Sequence, residues 1–430
     1  EARRVVSRAE VLALSLNDVV GSGVYLLPAA CAAALAGSAS LWGVALAGLA
    51  VLLIVLCFAE AASRFDEPGG AYVYAREAWG DLAGFEVGWM SYLTRVATLA
   101  SLSAGFAQAL SWAWPAAGHG AGRAAAITLP LLALTAINVR GVKEGARASS
   151  ALLLVKLVPL VVFIAAGLFA VEWRRVLAPA RVEPSGLGEV ALLLLFAYAG
   201  FENTAAPAGE YRDPKRDVPF ALITQIALVT LLYALVQLVA LGTLPGLASS
   251  RTPLADAARL FLGGWGGAFL TAGAAASILG TAGNTVLSGP RYLYALARDG
   301  YGPAFLGKLH PRTLTPAAAI VVTTALVLPL ALTGSFAGLA ALSVVARLAG
   351  YVSTAAAVPA LRKRLADTPA TVRLPLGPAI PVAAVAVSAF LVASATAFDL
   401  AAGAAALVAG LAVWALRRKG AAGGGGVAGS

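Results

Sequence analysis

Charged residues are scarce in this chain. Asp, Glu, Lys and Arg make up 12% of its 430 residues, whereas a soluble domain carries about 25%. Apolar residues make up 60%, and the mean hydropathy is +0.84. Apolar runs of roughly 20 residues, each long enough for a helix to cross the hydrocarbon core, recur from end to end. We therefore expect an all-α polytopic membrane protein.

Cysteine and histidine are almost absent. Cys31 and Cys57 lie in apolar runs, and His119 and His310 lie in separate loops. This predicts neither a disulfide framework nor a metal site. We also find no nucleophile or phosphate site within reach of water, and expect no enzymatic activity and no cofactor.

The net charge of +10 is spread over the loops rather than gathered on one soluble face. We therefore expect a lipid bilayer, and not nucleic acid, as the partner of this chain. The first apolar run lacks a small-residue cleavage site and continues into a full span, so we expect no cleaved signal peptide.

The apolar runs predict about twelve spans, between a cytoplasmic N-terminus (1–9) and a flexible cytoplasmic tail (417–430). With this orientation the internal segments hold 22 Lys and Arg residues and the external loops hold six. This asymmetry predicts that both termini are cytoplasmic in a plasma (inner) membrane. The predicted spans are 10–33, 41–63, 82–112, 124–142, 149–171, 187–209, 217–243, 265–297, 315–333, 337–361, 377–397 and 399–416.

Glycine interrupts the first span. The stretch LSLNDVVGSGVYLLPAA, from Leu14 to Ala30, has Gly21, Ser22 and Gly23 at its centre. These residues weaken a helix where lipid requires intact backbone hydrogen bonds. Unwound backbone at membrane depth is tolerated where it lines a cavity, so the break predicts a binding site.

A second interruption follows five spans later, in ALLLLFAYAGFENTAAPAGE, at Ala199 and Gly200. Two broken helices at corresponding positions of two five-helix halves indicate an inverted-repeat transporter. The halves would comprise residues 10–171 and 187–361, followed by two further helices in 377–416. The alternative is that these glycines serve only for close helix packing, which is common in membranes.

Exposed backbone at the two breaks suits a zwitterion. The amides around Ser22, Gly23 and Val24 begin a half-helix, whose positive end attracts a carboxylate. Carbonyl groups left free by the two breaks would accept an α-ammonium group. We expect these carbonyls near Asp18, Val19, Phe196, Ala197 and Ala199.

Several ionisable residues lie at membrane depth, where a charge is costly unless it is paired, hydrated or neutralised. Asp18 either contacts a substrate amine, relays a proton, or only caps the broken helix or pairs with a cation. Lys156, the lone charge in VKLVPLVVF, either takes part in coupling or extends to the cytoplasmic interface. Glu202 is a functional candidate at the second break, whereas Arg95 and Arg347 favour structural ion pairs.

Several motifs resemble amino-acid permeases of the amino acid, polyamine and organocation (APC) transporter superfamily. VVGSGVYLLP resembles the glycine-serine-glycine motif of the first helix, and EPGGAYVYAREAWGDLAGFEVGWM resembles the loop and start of the third helix. FAYAGFE and GEYRDPKRDVPFA resemble the sixth helix and the loop that follows it. The similarity is clear over about residues 10–300 and is weaker beyond them.

The resemblance implies a LeuT-type fold: ten helices in a 5+5 inverted repeat plus two more, helices 1 and 6 being broken. Lys156 resembles a lysine that takes the place of sodium in sodium-independent members, which implies coupling to protons or exchange. Phe196 resembles an aromatic gate position, and Glu202 resembles an acidic position of the family. Asp18 departs from the family, which often has a neutral residue there, and this leaves the preference for neutral or cationic substrates open.

We therefore predict a sodium-independent secondary transporter of L-amino acids, with proton symport and neutral substrates favoured. The alternatives are a transporter of cationic amino acids or polyamines, an amino-acid exchanger, and a sensor that binds an amino acid without transporting it. The sequence leaves the oligomeric state open.

Overall fold

A computed structural model of the chain describes residues 6–66, 70–140, 146–178, 184–205, 208, 211–313, 315–368 and 370–423. Parts of the predicted N-terminal segment (1–5), of the fourth and sixth spans (141, 142, 206, 207 and 209) and of the tail (424–430) lie outside these residues. In 146–152, 184–185 and 417–423 only the backbone is described.

Every named element of the described residues is a helix. The first half of the chain contains α1 (Arg8–Val19), α2 (Gly23–Ala34), α3 (Ala39–Ala62), α4 (Ala71–Trp79), α5 (Asp81–Leu110), α6 (Gly120–Arg140), α7 (Ala146–Gly167) and the single turn α8 (Trp173–Val176).

The second half contains α9 (Pro184–Tyr198), α10 (Pro214–Thr243), α11 (Pro253–Leu262), α12 (Gly264–Arg298), α13 (Ala317–Thr333), α14 (Phe336–Arg364), α15 (Ala379–Ala393) and α16 (Ala397–Gly423). A short 3₁₀ helix, Phe201–Ala205, follows α9. Helix α16 extends beyond residue 416, where we predicted the tail to begin.

Six of the described helices are long and apolar enough to cross a bilayer: α3, α6, α10, α14, α16 and the part of α7 together with the turn after it in 153–170. The pair α1 and α2 makes a seventh if it is counted as one span, and α13 and α15 are shorter apolar helices. The chain is therefore a multi-pass membrane protein. Each of the twelve predicted spans overlaps at least one of the described helices.

Helix α5 lies at the centre of the helix bundle. It packs against α4, α6, α12, α13, α14 and α16, while α1 packs against α7 and α10. Small residues allow this close packing. A β-carbon on Gly289 of α12, for example, would lie 3.0 Å from Cβ of Arg95 on α5.

A buried carboxylate joins α3 to α14 and to the chain that follows α14. Glu60 Oε1 and Oε2 accept hydrogen bonds of 2.7 and 2.6 Å from the Arg362 guanidinium, and Glu60 Oε2 accepts one of 2.9 Å from the Leu374 amide. Arg64 lies 3.6 Å from the same carboxylate. This cluster fixes one end of the bundle.

The N-terminal end of α1 is attached to the start of α10. Arg8 Nε lies 2.7 Å from Asp217 Oδ1, and the Arg8 guanidinium lies over the Phe220 ring. The backbone of Val6 accepts a hydrogen bond from the amide of Arg212. The start of α1, which precedes the first break, is therefore linked to the start of α10, which follows the second break.

Candidate functional site

A cavity of about 900 Å³ lies between α1, α5, α9, α12 and α14. Every substrate-binding residue that the sequence predicts lines this cavity except Val24, which is buried away from it. These lining residues are Asp18, Val19, Gly21, Ser22, Gly23, Phe196, Ala197, Ala199 and Gly200. The cavity extends to Asp81, the first residue of α5, and to Asp299, which follows α12.

The first span changes direction at its glycines. Helix α1 ends at Val19, α2 begins at Gly23, and the two are bent by 48°. The first N–H groups of a helix have no partner within it, so the start of α2 presents amide donors. The Ser22 hydroxyl is buried and has no hydrogen-bond partner among the described residues. This side of the cavity is suited to an anion.

The second interruption lies directly against the first. Helix α9 ends at Tyr198, and Gly200 has a φ of +120°, a conformation that favours glycine. A β-carbon on Gly200 would lie 2.6 Å from the carbonyl oxygen of Asp18. Glycine is required here both for the backbone conformation and for the close approach of the two segments.

The Tyr233 hydroxyl, from α10, lies between the two breaks. It donates a hydrogen bond of 2.8 Å to the Ala197 carbonyl and lies 3.4 Å from the Val19 carbonyl. The Phe196 carbonyl accepts a bond from the Ala199 amide. Three of the carbonyls that we expected to be free therefore have a protein donor nearby, and they can accept a substrate only through a second lone pair.

Lys156 of α7 contacts the first break from outside the cavity lining. Its side chain is buried, with 1% of its surface exposed, so it does not extend to the interface. Lys156 Nζ donates to the Asn17 carbonyl at 2.8 Å and to Thr281 Oγ1 at 3.0 Å. The ammonium thus joins the end of α1 to α12.

Asp18 is half-buried on the cavity wall. Its Oδ1 accepts a hydrogen bond of 3.2 Å from Asn284 Nδ2 of α12. No ion pair within 4.0 Å is formed by Asp18 in the described part of the chain. The carboxylate is therefore positioned by an amide and remains available to a ligand.

Glu202 lies beside the second break in a cluster of ionic and polar side chains. Its carboxylate is 3.2 Å from Arg347 Nη1 and 3.9 Å from Arg95 Nη2. It accepts a bond of 3.0 Å from the Gly200 amide and one of 3.1 Å from the Tyr351 hydroxyl. The ion pairs that we expected for Arg95 and Arg347 thus share one carboxylate.

Two aromatic rings meet at the end of α9 that borders the cavity. Phe196 of α9 meets Phe336 of α14 edge to face, with ring centroids 5.8 Å apart. The Phe336 carbonyl accepts a hydrogen bond from Ser101 of α5. Phe196, predicted as a gate, therefore lines the cavity and packs against α14.

Sequence reasoning missed the contribution of α12. Ser277, Thr281, Thr285 and Ser288 recur at intervals of three or four residues, which is the period of one helix face, and Asn284 adjoins them. Thr281, Asn284, Thr285 and Ser288 line the cavity, and Ser277 Oγ lies 3.4 Å from the Val20 carbonyl. A polar stripe in an otherwise apolar helix is the signal that would have identified them.

Comparison with known proteins places the chain in a family. Residues 7–414 match the model of the amino acid permease family. An uncharacterised transporter of Mycobacterium tuberculosis is 33% identical over 346 residues, covering 79% of this chain and 76% of the relative.

Two Bacillus subtilis proteins cover still more of the chain. A methylthioribose transporter is 29% identical over 400 residues (88% of this chain and 86% of the relative), and the serine/threonine exchanger SteT is 30% identical over 395 residues (89% of each). The match to this family confirms the resemblance seen in the sequence and identifies a transporter rather than an enzyme. The chain belongs to the amino acid permease family of the APC superfamily.

Proposed function

We propose that this protein is a sodium-independent secondary active transporter of L-amino acids in the plasma membrane, which works by alternating access. The observation that carries the proposal is the meeting of two interrupted segments on one cavity, where Gly200 approaches the Asp18 carbonyl. Transporters of this kind bind substrate at such interruptions.

The proposed pose follows from the charges of the backbone groups. The substrate α-carboxylate binds the amides at Ser22, Gly23 and Val24 and the unpartnered Ser22 hydroxyl, since a helix N-terminus stabilises an anion. The α-ammonium group lies towards Asp18 and the carbonyls of Val19, Phe196, Ala197 and Ala199. Asn284 orients the Asp18 carboxylate for this contact.

We propose further that the chain has the LeuT-type 5+5 inverted repeat, with α1–α7 and α9–α14 as its halves and α15 and α16 as additional helices. The bend of 48° between α1 and α2 supports a broken first helix. The change from α9 to the 3₁₀ helix Phe201–Ala205 supports a broken sixth one. With cytoplasmic termini, the cavity opens inward and Phe196 closes its external side.

Lys156 and Glu202 are the proposed coupling residues, with protons as the coupling ion. Lys156 contacts both the Asn17 carbonyl and Thr281, so its protonation state acts on the contact between the first break and α12. Glu202 contacts the second break through the Gly200 amide. Proton symport is favoured over exchange, which is the alternative within the same mechanism.

Neutral amino acids are the favoured substrates, because the glycines and alanines of the two breaks leave a cavity wall with few side-chain charges at the substrate backbone. A cationic amino acid or polyamine is the alternative that Asp18 supports, since its carboxylate has no ion-pair partner within 4.0 Å among the described residues. A sensor that binds an amino acid without transporting it is the alternative outside the transporters.

The test is uptake into proteoliposomes in sodium-free buffer, with and without a proton gradient, using a panel of L-amino acids. We expect uptake that increases with an inward proton gradient and is inhibited by alanine. Strong inhibition by lysine or arginine and none by alanine would contradict the neutral preference. Uptake driven only by internal amino acid would indicate exchange, and binding without flux would indicate a sensor.

A further inference from the structure

The wall of the cavity formed by α5, α14 and the 3₁₀ helix after α9 is polar, and the pose proposed above does not use it. Arg95, Thr98, Asn203 and Arg347 all line the cavity there. Thr98 Oγ1 accepts a hydrogen bond of 3.2 Å from Arg347 Nη2, and Asn203 Oδ1 accepts one from Arg95 Nη2. These contacts hold both guanidinium groups against the cavity.

The two guanidinium groups have more donors than acceptors around them. Each presents five N–H groups, and only 7% of the Arg95 side chain and 4% of the Arg347 side chain are exposed. Nε of each has no hydrogen-bond partner among the described residues. Leaving buried N–H groups of a cation without acceptors is costly, so this wall favours a ligand that brings an oxygen.

The formal charges around the cavity also favour a ligand that brings an oxygen. At its open end Asp81 and Asp299 balance Arg291 and Arg298. Deeper inside, two carboxylates, Asp18 and Glu202, lie among three cations, Lys156, Arg95 and Arg347. Glu202 is the one described carboxylate within 4.0 Å of Arg95 or Arg347. The inner part of the cavity therefore has one more positive charge than its carboxylates balance, and the two arginines there share a single close carboxylate.

This wall lies on the side of the proposed site towards which the side chain of a bound amino acid would extend. Glu202 contacts both Arg347 and the Gly200 amide, and Gly200 lies against the Asp18 carbonyl. The two arginines are thus linked through one carboxylate to the place where the two breaks meet. A substrate held there by its α-carboxylate and α-ammonium groups has its side chain as the remaining group to reach the arginines.

We propose that Arg95 and Arg347 form a side-chain subsite for an L-amino acid whose side chain ends in a carbonyl or carboxylate oxygen. This inference rests on the proposed function. It narrows the neutral substrates favoured there to those with a side-chain oxygen and adds acidic amino acids to them. A cationic side chain would add to the surplus positive charge, and an aliphatic one would leave the donors without an acceptor. A carboxylate would in addition neutralise the surplus charge.

The test measures Kd by calorimetry on the purified full chain for five amino acids: L-glutamate, L-glutamine, L-norleucine, L-alanine and L-lysine. Norleucine is close to glutamine in length but has no oxygen acceptor. We expect glutamine or glutamate to bind about ten-fold or more tightly than norleucine, since hydrogen bonds to charged groups are strong, and lysine to bind most weakly. The order of glutamate and glutamine distinguishes a carboxylate ligand from an amide.

Arg347→Gln supplies the second measurement. It should remove the advantage of glutamate over norleucine while norleucine affinity changes less than about two-fold, and Arg347→Lys should restore only part of it because lysine lacks the planar fork. The matched control is Arg123→Gln, because Arg123 donates to the carbonyls of Leu332, Ala331 and Gly334 outside the cavity. This control should leave the order of affinities unchanged.

Three outcomes would overturn the subsite. The subsite is overturned if the wild-type protein binds all five amino acids without preference for an oxygen-bearing side chain. It is also overturned if Arg347→Gln loses affinity equally for every ligand. Both outcomes leave the proposed function intact. If none of the five binds to a correctly folded protein, the proposed function fails and the subsite fails with it. The wild-type panel gives its answer even if the variants do not fold.

Discussion

A β-carbon placed on Gly23 would lie 2.6 Å from Cβ of Ala197. Such a separation is far below ordinary van der Waals contact, so the two interrupted segments touch at a point where only a hydrogen atom fits. Gly23 begins α2, and Ala197 lies in the last turn of α9. The geometry of the proposed binding site therefore depends on the absence of a side chain at residue 23.

Gly23→Ala should reduce substrate affinity by about ten-fold or more while the protein still folds. The added methyl group has to push α2 and α9 apart, and overpacking of this kind costs about 1–3 kcal/mol. Calorimetric titration with the best substrate measures the loss. Gly283→Ala is the control, because a β-carbon there would lie 3.7 Å from Leu134 in ordinary contact. Wild-type affinity in Gly23→Ala would place the carboxylate site elsewhere.

Lys156→Ala should abolish uptake driven by a pH gradient. The substitution removes the donor to the Asn17 carbonyl and to Thr281 Oγ1, and with it the proposed link between protonation and the first break. Uptake into proteoliposomes is measured at several external pH values. Lys308→Ala, at an exposed loop lysine, should behave like the wild type. If the pH dependence of Lys156→Ala is unchanged, Lys156 has no part in coupling.

Tyr233→Phe should lower the rate of uptake more than it lowers stability. The hydroxyl donates to the Ala197 carbonyl at 2.8 Å and lies 3.4 Å from the Val19 carbonyl, so its removal takes away the polar link between the two breaks and leaves their packing contacts. One neutral hydrogen bond contributes about 1 kcal/mol to stability. Initial rates and thermal unfolding of the same preparation separate the two effects. A rate equal to the wild type would show that the hydroxyl does not couple the breaks.

The sequence predicts the backbone part of the candidate site better than its side-chain part. Gly21, Ser22 and Gly23 weaken a helix wherever they occur in an apolar span, so the first interruption is visible locally. Gly200 also interrupts an apolar span, so the second interruption is predicted from the sequence for the same reason. Tyr233, in contrast, is 36 residues from Ala197 and 214 from Val19 along the chain, and its role depends on how α10 packs.

The partners of the ionic residues are likewise not predictable from the sequence. Lys156 and Glu202 stand out because a charge at membrane depth needs a partner, yet hydropathy does not say which partner it has. The structure gives Lys156 a backbone carbonyl and a hydroxyl, and it gives Glu202 two arginines. Only the packing of α5 and α14 brings Arg95 and Arg347 to one carboxylate.

Glu60→Gln should destabilise the protein without changing substrate affinity. The Glu60 side chain is fully buried, accepts two hydrogen bonds from Arg362 and one from the Leu374 amide, and lies outside the cavity lining. Breaking a buried pair by neutralising one partner costs about 3–5 kcal/mol, since the other charge is left uncompensated. Thermal unfolding in detergent should show a clearly lower Tm, while Glu77→Gln, at a carboxylate that is 43% exposed, should show almost none. An unchanged Tm in Glu60→Gln would mean that the cluster does not hold α3 and α14 together, and a changed Kd would mean that it acts on the cavity.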